Sequence, residues 1–217
     1  SGRVTAVGPV QQLRAQREVC VTIENDMRDD WVELVPAGAL ASAGAIVAAV
    51  RAAGVCGMGG AAFPTHIKLT IPEGKSADTV ILNGAECEPF LTADHRLMLE
   101  SPRRILDGLA LIMRATGVNR GVIAIEDNKP DAIKVMSEAA VGMAGVTVRV
   151  LRTKYPQGSE KQLIQSVTGR QVPQGKLPID AHTLVFNVST AAAVADAICD
   201  EALSGHTSAG TLAKAIA

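Results

Sequence analysis

Residues Thr79-Val80-Ile81-Leu82 run directly into Asn83-Gly84-Ala85-Glu86-Cys87-Glu88-Pro89. An aliphatic, β-branched run that breaks into a polar loop with glycine and proline reads as a strand with an exposed tip. The same unit recurs three times downstream. Gly121–Ile125 is followed by Glu126-Asp127-Asn128-Lys129, Val146–Leu151 by Thr153-Lys154-Tyr155-Pro156-Gln157-Gly158, and Thr183–Phe186 by Asn187-Val188-Ser189-Thr190. Helical patterns separate these strands. Ser101 and Pro102 stand where a helix would be capped and begun; Ile105, Leu106, Leu109, Ile112 and Met113 keep the 3.6-residue period; Gly117 ends it. Pro130 opens a helix to about Ala140, Ser159 and Gln162 form a capping-box pattern for residues 160–167, and Ser189 or Thr190 would cap the last helix. This β-α alternation predicts an α/β fold, a parallel Rossmann-like sheet with flanking helices.

Upstream the pattern differs. Val4–Val7 and Val19–Ile23 read as strands, with turns at Asn25-Asp26 and Asp29-Asp30 before Trp31–Leu34. Residues 1–35 are therefore expected to form a small partial β element, a hairpin or incomplete barrel. After Pro36 an alanine-rich helix spans Ala41–Ala53, with Gly54 placed to stop it. The glycine-rich loop Cys56-Gly57-Met58-Gly59-Gly60-Ala61-Ala62-Phe63-Pro64-Thr65 follows. The expected organisation is a β element over 1–35, an α/β domain over 36–200 and a weakly specified tail over 201–217.

Composition excludes several classes. Of 217 residues, 47% are hydrophobic but only 2% aromatic, and 20% are charged, which is incompatible with a mainly disordered chain. The net charge of −1 leaves no electrostatic footprint for nucleic acid. The longest apolar run, Val35–Val50, is short of the ~20 residues that a spanning helix needs, so no direct membrane insertion is expected. The Ser1-Gly2-Arg3 opening leads into a Val/Thr pattern, so no secretory leader is expected there. Cys20, Cys56, Cys87 and Cys199 are scattered without a C-x-x-C pair, so free thiols in a reducing compartment are expected. His66, His95, His182 and His206 show no ligand spacing, and no metal site is assigned. No nucleophile elbow of the Gly-x-Ser-x-Gly type occurs.

Ligands of open parallel sheets bind beyond the carboxyl ends of the strands. The four polar tips would face one crevice there, although loops are polar in any case. The glycines at 57, 59 and 60 permit close backbone approach or positive φ, serving either a ligand or a tight packing turn. If Pro64 starts a helical turn, its free N–H groups and Lys68 would favour a phosphate. Glu86 and Glu88 would suit ribose hydroxyls, a cation or a redox ring, or would simply be solvated loop acids. Phe63, Phe90, Tyr155 and Phe186 lie in or beside these loops, where a planar ring could stack, Phe186 being also a natural core residue.

Taken in order, these motifs carry a resemblance. Gly57–Lys68 resembles the glycine motif of the flavin- and NADH-binding subunits of respiratory complex I. The segments 83–89, 91–98, 126–130, 154–158, 160–164 and 187–190 are closer to the C-subunit family of the Rnf ion-translocating electron transport complexes. The likeness covers roughly residues 31–198. It implies FMN and NAD(H) as cofactors and an oxidoreductase that passes hydride between NADH and FMN, as a module of an NADH/ferredoxin oxidoreductase coupled to ion translocation. It assigns cofactor contacts to Gly57, Gly59, Gly60, Phe63, Lys68, Asn83, Glu86, Glu88, Glu126, Asn187 and Thr190, and no catalytic side chain. Acids beside a reduced flavin would lower its potential. The other Rnf subunits and ferredoxin are the implied partners. The implied location is cytoplasmic, peripheral on the inner face of the bacterial cell membrane through those subunits.

The family's two 4Fe–4S clusters sit in a cysteine-rich domain that these 217 residues do not contain, so the chain looks like a middle fragment whose turnover would be incomplete. Met58 replaces the arginine usual in complex I, Gly84-Ala85 replaces Ala-Asp, and Ala62 stands where the motif has glycine. Ala62 keeps open a scaffold that has lost its flavin, and a flavin-dependent cobalamin reductase shares the glycine and Ala-Glu-Cys-Glu-Pro motifs.

Overall fold

The computed structural model describes residues 2–11, 17–28 and 42–198. The chain separates into two compact units, residues 1–35 and 36–217. The strand expected at Trp31–Leu34, Cys199, His206 and the tail lie outside the described residues.

The first unit is a hairpin of β1 (Gly2–Gln11) and β2 (Arg17–Asn25), paired antiparallel. Both predicted valine-rich runs fall within it. A register shift between Val4 and Ala6 sets Val4 opposite Ile23 and Val7 opposite Val21.

In the second unit four strands, β3 (Thr79–Gly84), β4 (Gly121–Glu126), β5 (Val146–Leu151) and β6 (Thr183–Asn187), form a parallel sheet in the order β5-β4-β3-β6. The predicted Rossmann-like α/β architecture is the observed one. Helices α1 (Ala43–Ala52), α2 (Thr65–Leu69), α3 (Ala93–Glu100), α4 (Pro102–Thr116), α5 (Pro130–Ala139), α6 (Glu160–Thr168) and α7 (Val188–Asp196) complete the unit. Alternate residues of the strands face two cores. Val80, Leu82, Ile123, Ile125 and Phe186 pack with α4, α5 and α7 on one side, and Ile81, Val122, Ala124 and Val185 pack with α6 on the other. Both faces of β3 and β4 are dry, which is why these strands read as continuous apolar runs.

The helix ends depart from expectation in three places. Ser101 and Ser159 make no side-chain capping bond, although Pro102 does occupy the first turn of α4. Helix α7 is capped by Asn187, whose Oδ1 accepts from the Ser189 amide at 2.8 Å, rather than by Ser189 or Thr190. The reason is that β6 passes into α7 with no loop between them, so the last strand residue serves as cap. Gly117 stops α4 with φ +69°, as its position predicts. Helix α3 is strongly charged and fully buries Met98, so its apolar period is faint.

Strands β3, β4 and β5 progress outward in one direction, and β6 returns to the opposite side of β3. The chain therefore reverses its strand order between β3 and β6. Next to this reversal, α4 and α7 cross closely. A Cβ on Gly108 would lie 1.8 Å from the Ala191 carbonyl oxygen. Gly108→Ala should lower stability by about 1–3 kcal/mol, outweighing the roughly 1 kcal/mol of helix propensity that alanine brings. Urea unfolding midpoints of the variant and the wild type measure this; an unchanged or raised midpoint would contradict the close crossing.

Candidate functional site

The register places Asn83 beside Asn187 at the carboxyl ends of β3 and β6, where the strand order reverses. Each asparagine is fixed through its amide. Asn83 Nδ2 donates to the Gly158 carbonyl at 2.9 Å, and its Oδ1 accepts from the Ala85 amide at 3.0 Å. Gly158 sits so close that a Cβ there would meet the Ala85 carbonyl at 2.5 Å. Asn187 Nδ2 donates to Asp94 at 2.6 Å, and Ser189 Oγ donates to the other Asp94 oxygen at 2.6 Å.

The glycine loop docks onto this point. It is closed at its base by a bridge between Cys56 and Pro64 and by the Gly57 amide donating to the Phe63 carbonyl at 2.9 Å. Its tip is pinned by the Met58 amide, which donates to buried Thr190 Oγ1 at 2.9 Å. Gly59 faces Asn187, where a Cβ would stand 3.4 Å from that residue's own Cβ. Gly60 turns the chain at φ +120°. Ala62 adopts φ +49°, so the departure from glycine falls on a left-handed position.

A cleft of about 530 Å3 opens between this loop, the tips of β3 and β6 and the segment between β5 and α6. That is within the range of small-molecule sites, about 300–1,000 Å3. Of the predicted residues, Gly57, Gly59, Phe63, Lys68, Asn83, Glu88, Asn187 and Thr190 line it. Gly60, Glu86 and Glu126 do not. Gly60 forms the turn between lining residues. Glu86 is buried with its carboxylate accepting from the Asp94 and His95 amides at 3.0 and 3.3 Å, holding the start of α3. Glu126 is wholly buried, and the β4 tip does not wall the cleft, so three strand tips and not four bound it. Phe63, Tyr155 and Phe186 are in the wall, whereas Phe90 is fully exposed outside it.

The phosphate expected at a turn starting with Pro64 meets a different arrangement. The Thr65 amide is engaged by the Val55 carbonyl at 3.0 Å, and α2 is a single short turn. The cationic group of this wall is Lys68, whose Nζ donates to the Val185 carbonyl at 2.7 Å and to Glu160 at 3.2 Å, above the Phe186 ring. An ammonium has three donors, so one remains for a ligand. A hydroxyl that accepts from Met58 also keeps its own proton to donate, which gives Thr190 the same capacity. With two glycines that clear a wall, a cation, aromatic faces and a carboxylate at Glu88, the residues present fit a phosphorylated aromatic cofactor of the FMN type.

Two residues carry no signal of their own in the sequence, Asp94 and Glu160, which stand there only as parts of motifs. Burial holds the Asp94 carboxyl above the usual range, with Glu86 and Glu88 adding to the effect and the bonds from Ser189 and Asn187 opposing it. Neither has a local sequence signature, because each acts on a partner about ninety residues away.

The family described as the Nuo51 FMN-binding domain matches residues 50–196. The chain belongs to this family. The Nuo51 FMN-binding match starts in α1 and ends with α7, so it includes the whole parallel sheet and the cleft. The chain is 48% identical, over 91% of its length and 45% of the relative's, to the C subunit of the Na(+)-translocating ferredoxin:NAD(+) oxidoreductase complex of Acetobacterium woodii. It is 45% identical to the proton-translocating counterpart of Clostridium ljungdahlii, over 91% and 44%. For the C subunit of the ion-translocating oxidoreductase complex of Rhodobacter capsulatus the identity is 42%, over 89% and 38%. The chain thus spans less than half the length of these relatives. Among solved structures, an NAD+-reducing [NiFe]-hydrogenase is similar with TM-score 0.60 and 27% identity, over 71% of this chain and 30% of that one. Among the described residues no helix is long and apolar enough to cross a membrane.

Two expectations follow for this Nuo51-type site. Ala62→Gly relieves a left-handed conformation worth about 1–2 kcal/mol and adds unfolded-chain entropy of about 0.4–1 kcal/mol. The variant should therefore gain roughly 0.5–1 kcal/mol in urea unfolding; a loss would contradict the positive φ. Asp94 is the reverse case of a stabilising carboxylate. Because its folded-state value is raised, its contribution is greatest while it is protonated and is lost as pH rises through that value. The stability difference between wild type and Asp94→Asn should shift in favour of the variant as pH rises from the ordinary carboxylate range through the raised value. Asp78, Asp127, Asp131 and Asp180, all lowered by their partners, are common to both proteins and cancel in that difference.

Proposed function

We propose that the cleft binds FMN and NAD(H) and that the chain is the flavin module of an ion-translocating ferredoxin:NAD+ oxidoreductase complex, exchanging hydride between NADH and FMN. The observation that carries this reading is the glycine loop, pinned by Met58 to Thr190 across the β3/β6 reversal and walled by Lys68. Family membership and similarity to members of complexes named for ferredoxin:NAD+ oxidoreduction support it.

When bound, FMN supplies the exchange between a two-electron hydride and single electrons. The protein's part is to place it. Gly57 and Gly59 let a flat ring approach the backbone. Lys68 and Thr190 offer N–H and O–H donors to the phosphate and ribityl end, with Asn187 held rigid beside them. Asn83 keeps the segment around Gly158 in position. Phe63 and Tyr155, both exposed at the rim, offer faces to a dinucleotide base, and Glu88 accepts from ribose hydroxyls. The carboxylates of Glu88, Asp94 and Glu160 crowd a site of limited positive charge and disfavour extra negative charge on a reduced ring. Single electrons would pass between FMN and ferredoxin by way of the 4Fe–4S clusters of the full-length subunit and the other subunits, with the assembly at the inner face of the cell membrane.

Ala62 favours one other reading, a scaffold with the fold but without the flavin, because a methyl at a left-handed position borders the cleft. Titration of FMN with the folded chain should quench flavin fluorescence, and NADH added without oxygen should bleach the yellow absorbance. Gly59→Val should weaken FMN binding at least about tenfold, a change of about 1.4 kcal/mol. Folded wild type that leaves FMN fluorescence unchanged would overturn the reading. Quenching that appears only in Ala62→Gly would establish the scaffold.

A further inference from the structure

We propose that Glu126 and Lys129 form a buried strut that fixes two neighbouring wall segments of the flavin cleft, residues 86–88 and 154–158, relative to one another; this rests on the FMN reading above. Both side chains lie behind the cleft, Glu126 at 0% and Lys129 at 7% side-chain exposure. Their charges are 3.8 Å apart, an ion pair without a hydrogen bond, and Glu126 Oε2 has no hydrogen-bond partner. A buried pair of this geometry is a poor device for stability, since desolvation costs several kcal/mol per ion and matched neutral residues do as well or better.

Each partner nevertheless bonds to a segment that lines the cleft, and the two segments are different ones, while Lys129 Nζ also reaches Asn128 Oδ1 at 3.4 Å. Lys129 Nζ donates to the Glu86 carbonyl at 3.1 Å, in the segment that presents Cys87 and Glu88 to the cleft. Glu126 Oε1 accepts from the Lys154 amide at 3.4 Å, at the start of the segment that presents Tyr155, Pro156 and Gly158. The Lys129 amide donates to the Glu126 carbonyl at 3.1 Å, which holds the two residues in one tight turn. The Asp127 amide donates to the Leu151 carbonyl at 2.8 Å, and the Thr153 amide donates back to Asp127 at 2.9 Å, anchoring that turn on β5. The same segments also meet where Asn83 donates to the Gly158 carbonyl and Gly158 lies against the Ala85 carbonyl. A second tie stops them from pivoting about that one. Glu126 and Lys129 touch no ligand, so they are positioning residues, and the β4 tip acts on the site from behind it.

The test uses the whole 217-residue chain. Lys129→Met alone strands a buried carboxylate and should lower the urea midpoint. The matched neutral pair, Glu126→Gln with Lys129→Met, should bring the midpoint back to the wild-type value. It should still bind FMN about tenfold or more weakly, the scale of effect that small misplacements produce. Without ligand, amide hydrogen exchange in the double variant should quicken at residues 86–88, which lose the Lys129 bond, and stay unchanged at Gly57 and Met58. Wild-type FMN affinity together with wild-type exchange at that segment would overturn the strut. So would a double variant that fails to regain stability, because the pair would then be serving the fold. If wild type itself binds no FMN, the function reading fails, and the exchange comparison still decides the strut.

Discussion

The site depends on one long-range hydrogen bond, from the Met58 amide in the glycine loop to Thr190 Oγ1 in the first turn of α7. The two residues are 132 positions apart, and nothing local holds the tip of a loop so rich in glycine. The bond lies at the reversal of strand order between β3 and β6, where adjacent connections diverge to opposite faces and leave a gap in the layer above the sheet. Without the pin, the loop would have only its base, the Cys56–Pro64 bridge and the Gly57–Phe63 bond. With it, the gap becomes a walled cleft. Thr190 is buried, so its hydroxyl needs a partner, and the Met58 amide satisfies that need while fixing the loop.

Around the pin, polar side chains are mutually engaged rather than free. Asp94 collects donors from both Asn187 and Ser189, Glu86 collects the amides at the start of α3, and Lys68 is shared between Val185 and Glu160. Each has its rotamer fixed before any ligand arrives. A site of this kind gives up little side-chain entropy on binding. Burying carboxyls beside one another carries a cost, which shows in the raised Asp94.

The parallel sheet was legible because two buried faces make β3 and β4 continuous apolar runs, and because Pro102, Gly117 and Pro130 punctuate the helices between them. The hairpin was legible through its valines. What escaped was of two kinds. Caps were misassigned where the answer lay in tertiary context: Asn187 caps α7 because β6 abuts it directly, and no spacing rule contains that information. Side-chain direction was not legible where a motif residue turns inward. Glu86 and Glu126 stand in loops beside lining residues, yet they bond to backbone behind the wall. An acidic residue at a strand tip has the same sequence signature whether it meets a ligand or a neighbouring amide. Only the direction of the side chain separates the two.

The precision of the pin has its origin further away, in α4 and α7. Helix α7 is built largely of alanine, with Ala191, Ala192, Ala193 and Ala195 buried, and it crosses α4 at Gly108, where no side chain intervenes. Small residues on both helices leave little room for rotation or sliding, since any shift brings backbone against backbone. Thr190 immediately precedes Ala191, so the position of its hydroxyl is set by that crossing within one residue. A larger residue at 108 would lift α7 and carry Thr190 away from Met58. The alanine-rich composition, which by itself says only that a helix is buried, thus acts as a tolerance on the site. Tight packing on the far side of the sheet's end decides where a glycine loop 50 residues upstream of Gly108 can come to rest.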